Sequence, residues 1–208
     1  MCFFDNSSLG WEHMLIKEKT IFKKIEKRVR EIFREKGEHD FEHVKRVYRL
    51  SLLLTKGRNV DMDVVKASAL LHDVGHSINR MRHYKVGVPI SESILKEARF
   101  PEEKTLKVLL IVEEHSLLSD KFPSSPESQI IWDADKLDGI GMIQLFRGIL
   151  SPEQKEEDIF NIIKFTKEVS KNFYNALISE QAKKMGKLRY SFLMKALDRL
   201  EAEARGEP

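Results

Sequence analysis

A histidine followed directly by an aspartate, His72 and Asp73, is the feature of this 208-residue sequence with the clearest chemical use. The pair ends an apolar run and precedes Val74 and Gly75, so both side chains are expected to be at least half-buried. Burying a carboxylate costs several kcal/mol unless a cation or hydrogen-bond donors compensate it. Because a neutral imidazole and a carboxylate are both good ligands of divalent cations, the pair predicts a metal site.

A further imidazole ligand is expected upstream. His39 and His43 are four residues apart in an amphipathic stretch, so on a helix either could face the site. We favour His43 because Arg46 and Val47 follow it by one turn, which places a phosphate-binding guanidinium and a core contact on the same face. The second His-Asp pair, which begins at His39, then has no role as a ligand pair.

The remaining ligand is expected among Asp133, Asp135 and Asp138, which lie close together in an apolar segment. The first two are two positions apart in the sequence and cannot share a helical face. We therefore expect one carboxylate of the three to bind the ion. One histidine, the His-Asp pair and one distant aspartate would make a four-ligand site.

Composition excludes several classes of protein. The net charge of +3 arises from 36 basic and 33 acidic residues that are mixed along the chain, which argues against stable nucleic-acid binding and against a polybasic membrane anchor. A small anionic substrate is compatible with this charge. Cys2 is the single cysteine, so no intrachain disulfide can form and a reducing cytoplasm is the expected compartment. The sequence contains no signal-peptide pattern and no apolar stretch of membrane-spanning length.

Apolar residues recur at spacings of three and four, and no stretch shows the period of two that is typical of a strand. The pattern predicts an all-α fold, with the His-Asp pair in the last turn of the third helix. The predicted helices cover 15–36, 39–56, 62–73, 86–99 with an interruption at Pro89, 102–118, a segment starting at Ser125, 156–185 and 187–204.

The length fits a single domain spanning 1–208. All seven histidines precede residue 116, so the chemistry is expected in a motif-bearing core at about 39–150. The helices within about 151–205 are expected to serve packing or oligomerisation, and a homodimer is one expectation.

Taken in order, three motifs resemble those of the HD-domain metal-dependent phosphohydrolase superfamily. They are His43 with Arg46-Val47, then His72-Asp73-Val74-Gly75, then Ala134-Asp135-Lys136-Leu137. The resemblance spans roughly residues 39–150. It implies a compact helical bundle, metal ligation by His43, His72, Asp73 and Asp135, and hydrolysis of a phosphoester or phosphoanhydride in a small, nucleotide-like substrate.

The resemblance also implies a mechanism. Four protein ligands on an octahedral ion leave two positions for water and a phosphate oxygen. Mn²⁺ is the first expectation, with Mg²⁺, Co²⁺, Ni²⁺, Zn²⁺ or Fe²⁺ as alternatives. Arg46, Lys136, His76 and His115 are the candidates for neutralising phosphate charge or moving protons.

Three alternatives stay open from the sequence. His83 and His115, the latter in the segment Glu113-Glu114-His115-Ser116, could hold a second metal ion. The same two histidines would also suit a di-iron oxygenase of this fold. A third alternative is a binding or regulatory protein in which the metal only stabilises the structure.

Overall fold

The computed structural model describes residues 7–35, 41–150 and 157–207, with side chains described from Thr20 onward. The described residues form helices and contain no strand, as the sequence predicts for an all-α protein. The predicted helix ends at 36, 39 and 156 lie outside these ranges. The helices are α1 (Ser7–Glu35), α2 (Phe41–Leu54), α3 (Met62–Leu71), α4 (His83–Ala98), α5 (Glu102–Glu114), α6 (Pro126–Asp138), α7 (Met142–Leu150), α8 (Ile159–Asn175) and α9 (Glu180–Ala204).

Contacts within the chain divide it into two compact units. The first comprises Met1–Lys45 and Asp61–Phe122, and the second comprises Arg46–Val60 and Pro123–Pro208. The boundary passes through α2. That the chain behaves as a single domain stays a prediction. None of the described helices has the length and hydropathy needed to cross a membrane.

The first unit is built around α3, which packs against α1 and α5. Asp61 caps this helix by accepting hydrogen bonds from the backbone amides of Asp63 and Val64 at 3.0 and 3.4 Å. Most of the helix is buried, which is unusual for a ten-residue helix and leaves it little freedom to shift. A helix that is capped at its start and enclosed along its length fixes the position of whatever follows its last residue.

The residues that follow are the His-Asp pair. The helix ends at Leu71, so His72 is its C-cap and Asp73 the next residue, slightly later than the predicted last turn. A series of turns and a short 3-10 helix, Arg80–Arg82, then lead into α4. The prediction that Pro89 interrupts this helix was wrong. The helix runs from His83 through Pro89 to Ala98, because one missing backbone donor is tolerated where buried residues on both sides hold the helix in place.

In the second unit, α6 begins as predicted, with Ser125 accepting a hydrogen bond from the amide of Ser128 at 3.0 Å. The predicted break between the last two helices, near residue 186, was wrong. It lies at 176–179. Gly186 sits inside α9, where an added Cβ would overlap the side chain of Leu177, so this glycine permits close packing and does not end a helix.

Candidate metal centre

The first unit brings together four histidines around one aspartate. This histidine cluster consists of His43, His72, Asp73, His83 and His115. His43 lies on α2, His83 is the first residue of α4, and His115 directly follows α5. The imidazoles are buried, whereas the Asp73 side chain keeps 16% of its surface exposed. The structure therefore gathers all of the predicted imidazole ligands, of the first and of the second ion, into one site.

Asp73 divides the cluster into two pairs. Its Oδ2 atom lies 3.4 Å from Nε2 of His43 and 3.8 Å from Nε2 of His72. Its Oδ1 atom lies 3.6 Å from Nε2 of His83 and 3.4 Å from Nε2 of His115. Within the pairs the Nε2 atoms are 3.1 and 3.2 Å apart. Each carboxylate oxygen thus shares its surroundings with two imidazole nitrogens.

Backbone carbonyls set the tautomer of three of these rings. Each ring places its Nδ1 within hydrogen-bond distance of the carbonyl oxygen three residues earlier. Because a carbonyl oxygen only accepts, Nδ1 must carry the proton, and Nε2 of the neutral ring presents a lone pair. The contacts are His72 to Ala69 at 2.9 Å, His83 to Arg80 at 2.8 Å and His115 to Val112 at 2.7 Å.

The facing lone pairs of these rings favour a positive charge between them. In the neutral state His83 and His115 direct lone pairs at each other across 3.2 Å, which is repulsive unless a cation or proton lies between them. Burial is the main cause that lowers the pKa of His83, with Asp73 opposing it, so the neutral ring is favoured. Imidazole orientation by a hydrogen bond from the other ring nitrogen is what metal sites require of their ligands.

Asp73 is ionised in these surroundings. Burial by itself would raise its pKa, but the charge of His72 and hydrogen bonds from His115 and His43, which these rings supply when Nε2 is protonated, hold this pKa well below its usual range. A charged carboxylate among imidazole lone pairs is a suitable ligand set for a divalent ion. Asp73, His83 and His115 in particular each offer one ligand atom within 4.8 Å of the others.

A close approach of two glycines holds the two sides of the cluster together. A Cβ added at Gly75 would overlap the backbone oxygen of His83 and would lie 2.6 Å from the backbone nitrogen of Gly87. Only glycine allows the turn after Asp73 to approach the start of α4 so closely. This contact sets how far His83 stands from Asp73.

His76 lies at the edge of the cluster. Its ring centroid is 5.4 Å from that of His83, and its side chain is only partly buried. The structure therefore places this predicted catalytic residue beside the proposed ligands, with access to solvent.

The three candidate aspartates of α6 have different surroundings within the second unit. Asp133 accepts hydrogen bonds from the amides of Ile178 and Ser179 at 2.7 and 3.0 Å, and so holds the start of α9. Asp138 accepts two from Arg46, at 2.6 and 2.9 Å. Asp135 accepts one from Lys136 at 2.7 Å.

Lys136 is almost fully buried, with its Nζ 4.4 Å from the ring centroid of Trp132. Both predicted basic residues, Arg46 and Lys136, therefore pair with carboxylates in the second unit. Which aspartate of α6 binds metal stays a prediction.

Sequence reasoning missed the central position of Asp73. It assigned this residue to one ion, whereas the structure gives each of its oxygens a separate pair of imidazoles. A signal was present in the sequence, because a histidine at the end of a helix can reach the carbonyl three residues before it. His72 and His115 both occupy that position, and such rings turn Nε2 outward.

Comparison with known proteins shows which domain contains these residues. Residues 40–140 match the family model of the HD domain. This part of the chain is an HD domain. The HD domain covers the ligands of the motif pattern from His43 to Asp135 and also includes His83 and His115. HD domains bind divalent metal ions, and the histidine cluster offers the side chains for one.

Relatives and solved structures share the fold over nearly the whole chain. The uncharacterized protein YpgQ of Bacillus subtilis is 24% identical over 185 residues, which cover 83% of this chain and 87% of YpgQ. The crystal structure of YpgQ in complex with ADP matches with a TM-score of 0.73 at 21% identity, covering 90% of this chain and 96% of that one.

Two further structures belong to proteins described as HD-superfamily hydrolases. One, from Bacillus thuringiensis, has a TM-score of 0.73 at 22% identity and covers 92% of this chain and all of that one, 100%. The other, a predicted hydrolase from an uncultured Thermotogales bacterium, has a TM-score of 0.63 at 25% identity and covers 87% and 91%. Together with the HD-domain match, these structures confirm the predicted helical fold.

Proposed function

We propose that this protein is a metal-dependent phosphohydrolase that cleaves a phosphoester or phosphoanhydride bond in a small, nucleotide-like substrate. The observation that carries the proposal is the histidine cluster, in which tautomer-fixed imidazole lone pairs converge on one ionised carboxylate. The hydrolase description of two structural relatives supports hydrolysis. The complex of YpgQ with ADP supports a nucleotide as the substrate class.

The ligand chemistry fits a divalent ion. The proposed first position uses His43, His72 and Asp73, with Asp135 added on the motif pattern alone. Asp73, His83 and His115 form the proposed second position. Mixed imidazole and carboxylate ligands without sulfur suit Mn²⁺, the preferred candidate, and also Fe²⁺, Co²⁺, Ni²⁺ or Zn²⁺, whereas Mg²⁺ prefers oxygen. A divalent ion held by such residues activates water and polarises a phosphoryl oxygen.

The other predicted residues would neutralise the charge of the phosphate or transfer protons. Arg46 and Lys136 are proposed to neutralise the phosphate, since stabilising charge is the main task in phosphoryl transfer. His76 is the better proton carrier of the two candidate histidines, because it is partly exposed and can exchange protons with solvent. His115 has its Nδ1 proton committed to the carbonyl of Val112, which leaves only Nε2, the atom directed at Asp73.

The test compares two histidines from the two His-Asp pairs of the sequence. Wild-type protein, His72→Ala and His39→Ala would be loaded with Mn²⁺ and assayed against nucleotides, cyclic dinucleotides and a generic phosphodiester. We expect His72→Ala to lose bound metal and to lower kcat/KM at least about a hundredfold, because a metal ligand is removed. His39→Ala should behave as wild type.

Two outcomes would overturn the proposal. Hydrolysis that survives His72→Ala unchanged would mean that the cluster is not the catalytic centre. Tight metal binding with no hydrolysis of any substrate in the panel would favour the metal-stabilised regulatory protein.

A further inference from the structure

A cavity of about 550 Å³ opens within the second unit, and none of its described lining residues belongs to the histidine cluster. We name it the arginine pocket. Its polar lining consists of Arg46, Arg49, Asp138 and Arg189. Its volume lies within the range of about 300 to 1,000 Å³ that is usual for small-molecule sites. The lining residues come from α2, the end of α6, the turn that follows it, α7 and α9.

The described lining of the pocket carries more positive than negative charge. Asp138 is its one carboxylate, 2% exposed, and it is already engaged by both donors of the Arg46 fork. Arg147 adds a further guanidinium 3.7 Å from Asp138. One carboxylate cannot neutralise several guanidinium groups, which stay protonated in proteins.

Arg189 is a half-buried guanidinium of the pocket that a backbone carbonyl holds in place. Burial lowers its pKa, Asp138 raises it, and the like charge of Arg46 lowers it further. One of its nitrogens, Nη1, donates to the carbonyl oxygen of Leu137 at 2.6 Å, which fixes the guanidinium at the end of α6. Arg49, by contrast, is exposed, and no hydrogen bond or ion pair holds it within the described part of the chain.

Another part of the pocket lining, the apolar wall, is exposed to solvent. Leu188 and Phe192 follow one another by one turn on α9 and are 71% and 63% exposed. Ile143 on α7 is 43% exposed. A ligand that covers these side chains would gain about 25 cal/mol for each Å² of apolar surface removed from water. The pocket thus offers surplus guanidinium donors beside an exposed aromatic and aliphatic wall.

We propose that the arginine pocket binds a nucleoside phosphate, with the phosphate held by Arg49 and Arg189 and the base packed against Phe192 and Leu188. A bidentate guanidinium matches the geometry of a phosphate, and a planar base matches an exposed aromatic ring. The inference rests on the proposed function in one respect, the nucleotide as the substrate class. It gives α9 a role in ligand binding, where the sequence predicted only packing or oligomerisation for the C-terminal helices.

The test measures binding without turnover. AMP, adenosine and inorganic phosphate would each be titrated calorimetrically into the full-length protein in EDTA. We expect AMP to bind at least about tenfold more tightly than either fragment, because only AMP engages both walls. Arg49→Gln and Phe192→Ala should each weaken AMP about tenfold, which corresponds to one lost charge-assisted contact or one lost ring contact. Both residues are exposed, so neither variant should unfold the protein.

Arg199→Gln is the matched control, because Arg199 is an exposed arginine on the same helix that pairs with Glu203. It should bind AMP as wild type does. Unchanged AMP binding in both pocket variants would overturn the proposal. A loss of AMP affinity in Arg199→Gln as large as that in the pocket variants would also overturn it. Absence of AMP binding together with a dimer that Phe192→Ala converts to monomers would also overturn it, and would make the wall a subunit interface.

The same titrations separate this inference from the proposed function. AMP binding that depends on Arg49 and Phe192, in a protein that hydrolyses nothing, would support the pocket and refute the phosphohydrolase. Hydrolysis lost in His72→Ala, with AMP binding indifferent to Arg49 and Phe192, would support the phosphohydrolase and refute the pocket.

Discussion

The histidine cluster of the first unit and the arginine pocket of the second have opposite electrostatic needs. In the cluster, lone pairs of buried imidazoles face one another and a carboxylate, so acceptors exceed donors. In the pocket, guanidinium groups surround Asp138, so donors exceed acceptors. A folded protein that retains such an excess in a buried or half-buried place favours a ligand of the opposite sign. The histidine cluster therefore favours a cation, and the arginine pocket favours an anion.

The two regions also differ in how the backbone prepares them. Carbonyl oxygens fix the rings of His72, His83 and His115, so the cluster is rigid before any ion binds. In the pocket Arg189 is tied to a carbonyl, while Arg49 is exposed. A rigid site suits a small ion with strict ligand geometry, and a looser one suits a ligand that must enter and leave.

The largest expected effect comes from removing the carboxylate of the cluster. Asp73→Asn takes away the charge that both imidazole pairs share, so we expect metal affinity to fall at least about a hundredfold, more than the loss of an outer-shell partner causes. Metal content after dialysis, measured by mass spectrometry, checks this. Asp120→Asn removes an exposed carboxylate from the same unit and should leave metal content unchanged.

Removing the carboxylate charge of the arginine pocket should reduce stability and leave metal binding unchanged. Asp138→Asn breaks the paired hydrogen bonds with Arg46, and we expect it to lower the free energy of unfolding by about 2 kcal/mol while metal content is retained. This loss of stability is smaller than the loss expected for a fully buried ion pair, because Arg46 is partly exposed. Loss of metal in Asp138→Asn, or retention of metal in Asp73→Asn, would contradict the proposed difference between the two regions.

The sequence predicted the fold class, and it also named the four histidines that the structure brings together, because both predictions rest on local patterns. Apolar spacing marks a helix, and a histidine beside a buried aspartate marks a cation site. The distance of His83 from Asp73 could not be predicted from such patterns, because it depends on the contact between Gly75 and Gly87, which are twelve residues apart.

The arginine pocket could not be predicted from local sequence patterns for a similar reason. Arg189 lies in an ordinary amphipathic helix, and nothing nearby distinguishes it from the exposed Arg199. Its neighbours in the pocket come from α2 and α6, far away in sequence. Long-range packing also explains the misplaced break at Gly186, since the glycine serves contact with Leu177 and not a turn.

A smaller effect tests how the two sides of the cluster are held together. Gly75→Ala would force apart the turn after Asp73 and the start of α4, so we expect a loss of about 1 to 3 kcal/mol in the free energy of unfolding. Because His83 moves with that contact, the second proposed ion should be lost before the first, which a metal titration followed by calorimetry would detect.

Gly57→Ala is a suitable comparison for this variant. Gly57 has a φ of +76° and open space around its Cα, so alanine there strains the backbone by about 1 kcal/mol without touching the cluster. If Gly75→Ala were no more destabilising than Gly57→Ala and kept its metal, the glycine contact would not position His83.

The smallest expected effect concerns the start of α3, the helix that presents the His-Asp pair. Asp61 caps this helix and accepts a hydrogen bond from Lys104 at 3.0 Å. Burial raises the pKa of Asp61, but the hydrogen bond from Lys104 and those from the helix amides lower it more, so the pKa in the folded protein is depressed. Asp61→Ala should lower the free energy of unfolding by about 1 kcal/mol at neutral pH.

The sign of the pH dependence follows from that depression. A carboxylate with a lower pKa in the folded state stabilises the protein above its unfolded pKa, near 3.8, and loses this contribution as the pH falls through the lower folded value. Urea unfolding of wild type and Asp61→Ala should therefore converge as the pH is lowered below 3.8. Asp61→Asn retains a capping oxygen without the charge, so it should keep most of the stability at neutral pH and show little of this pH dependence. Equal behaviour of the alanine and asparagine variants at neutral pH would mean that the ion pair with Lys104, and not the cap, holds the start of α3.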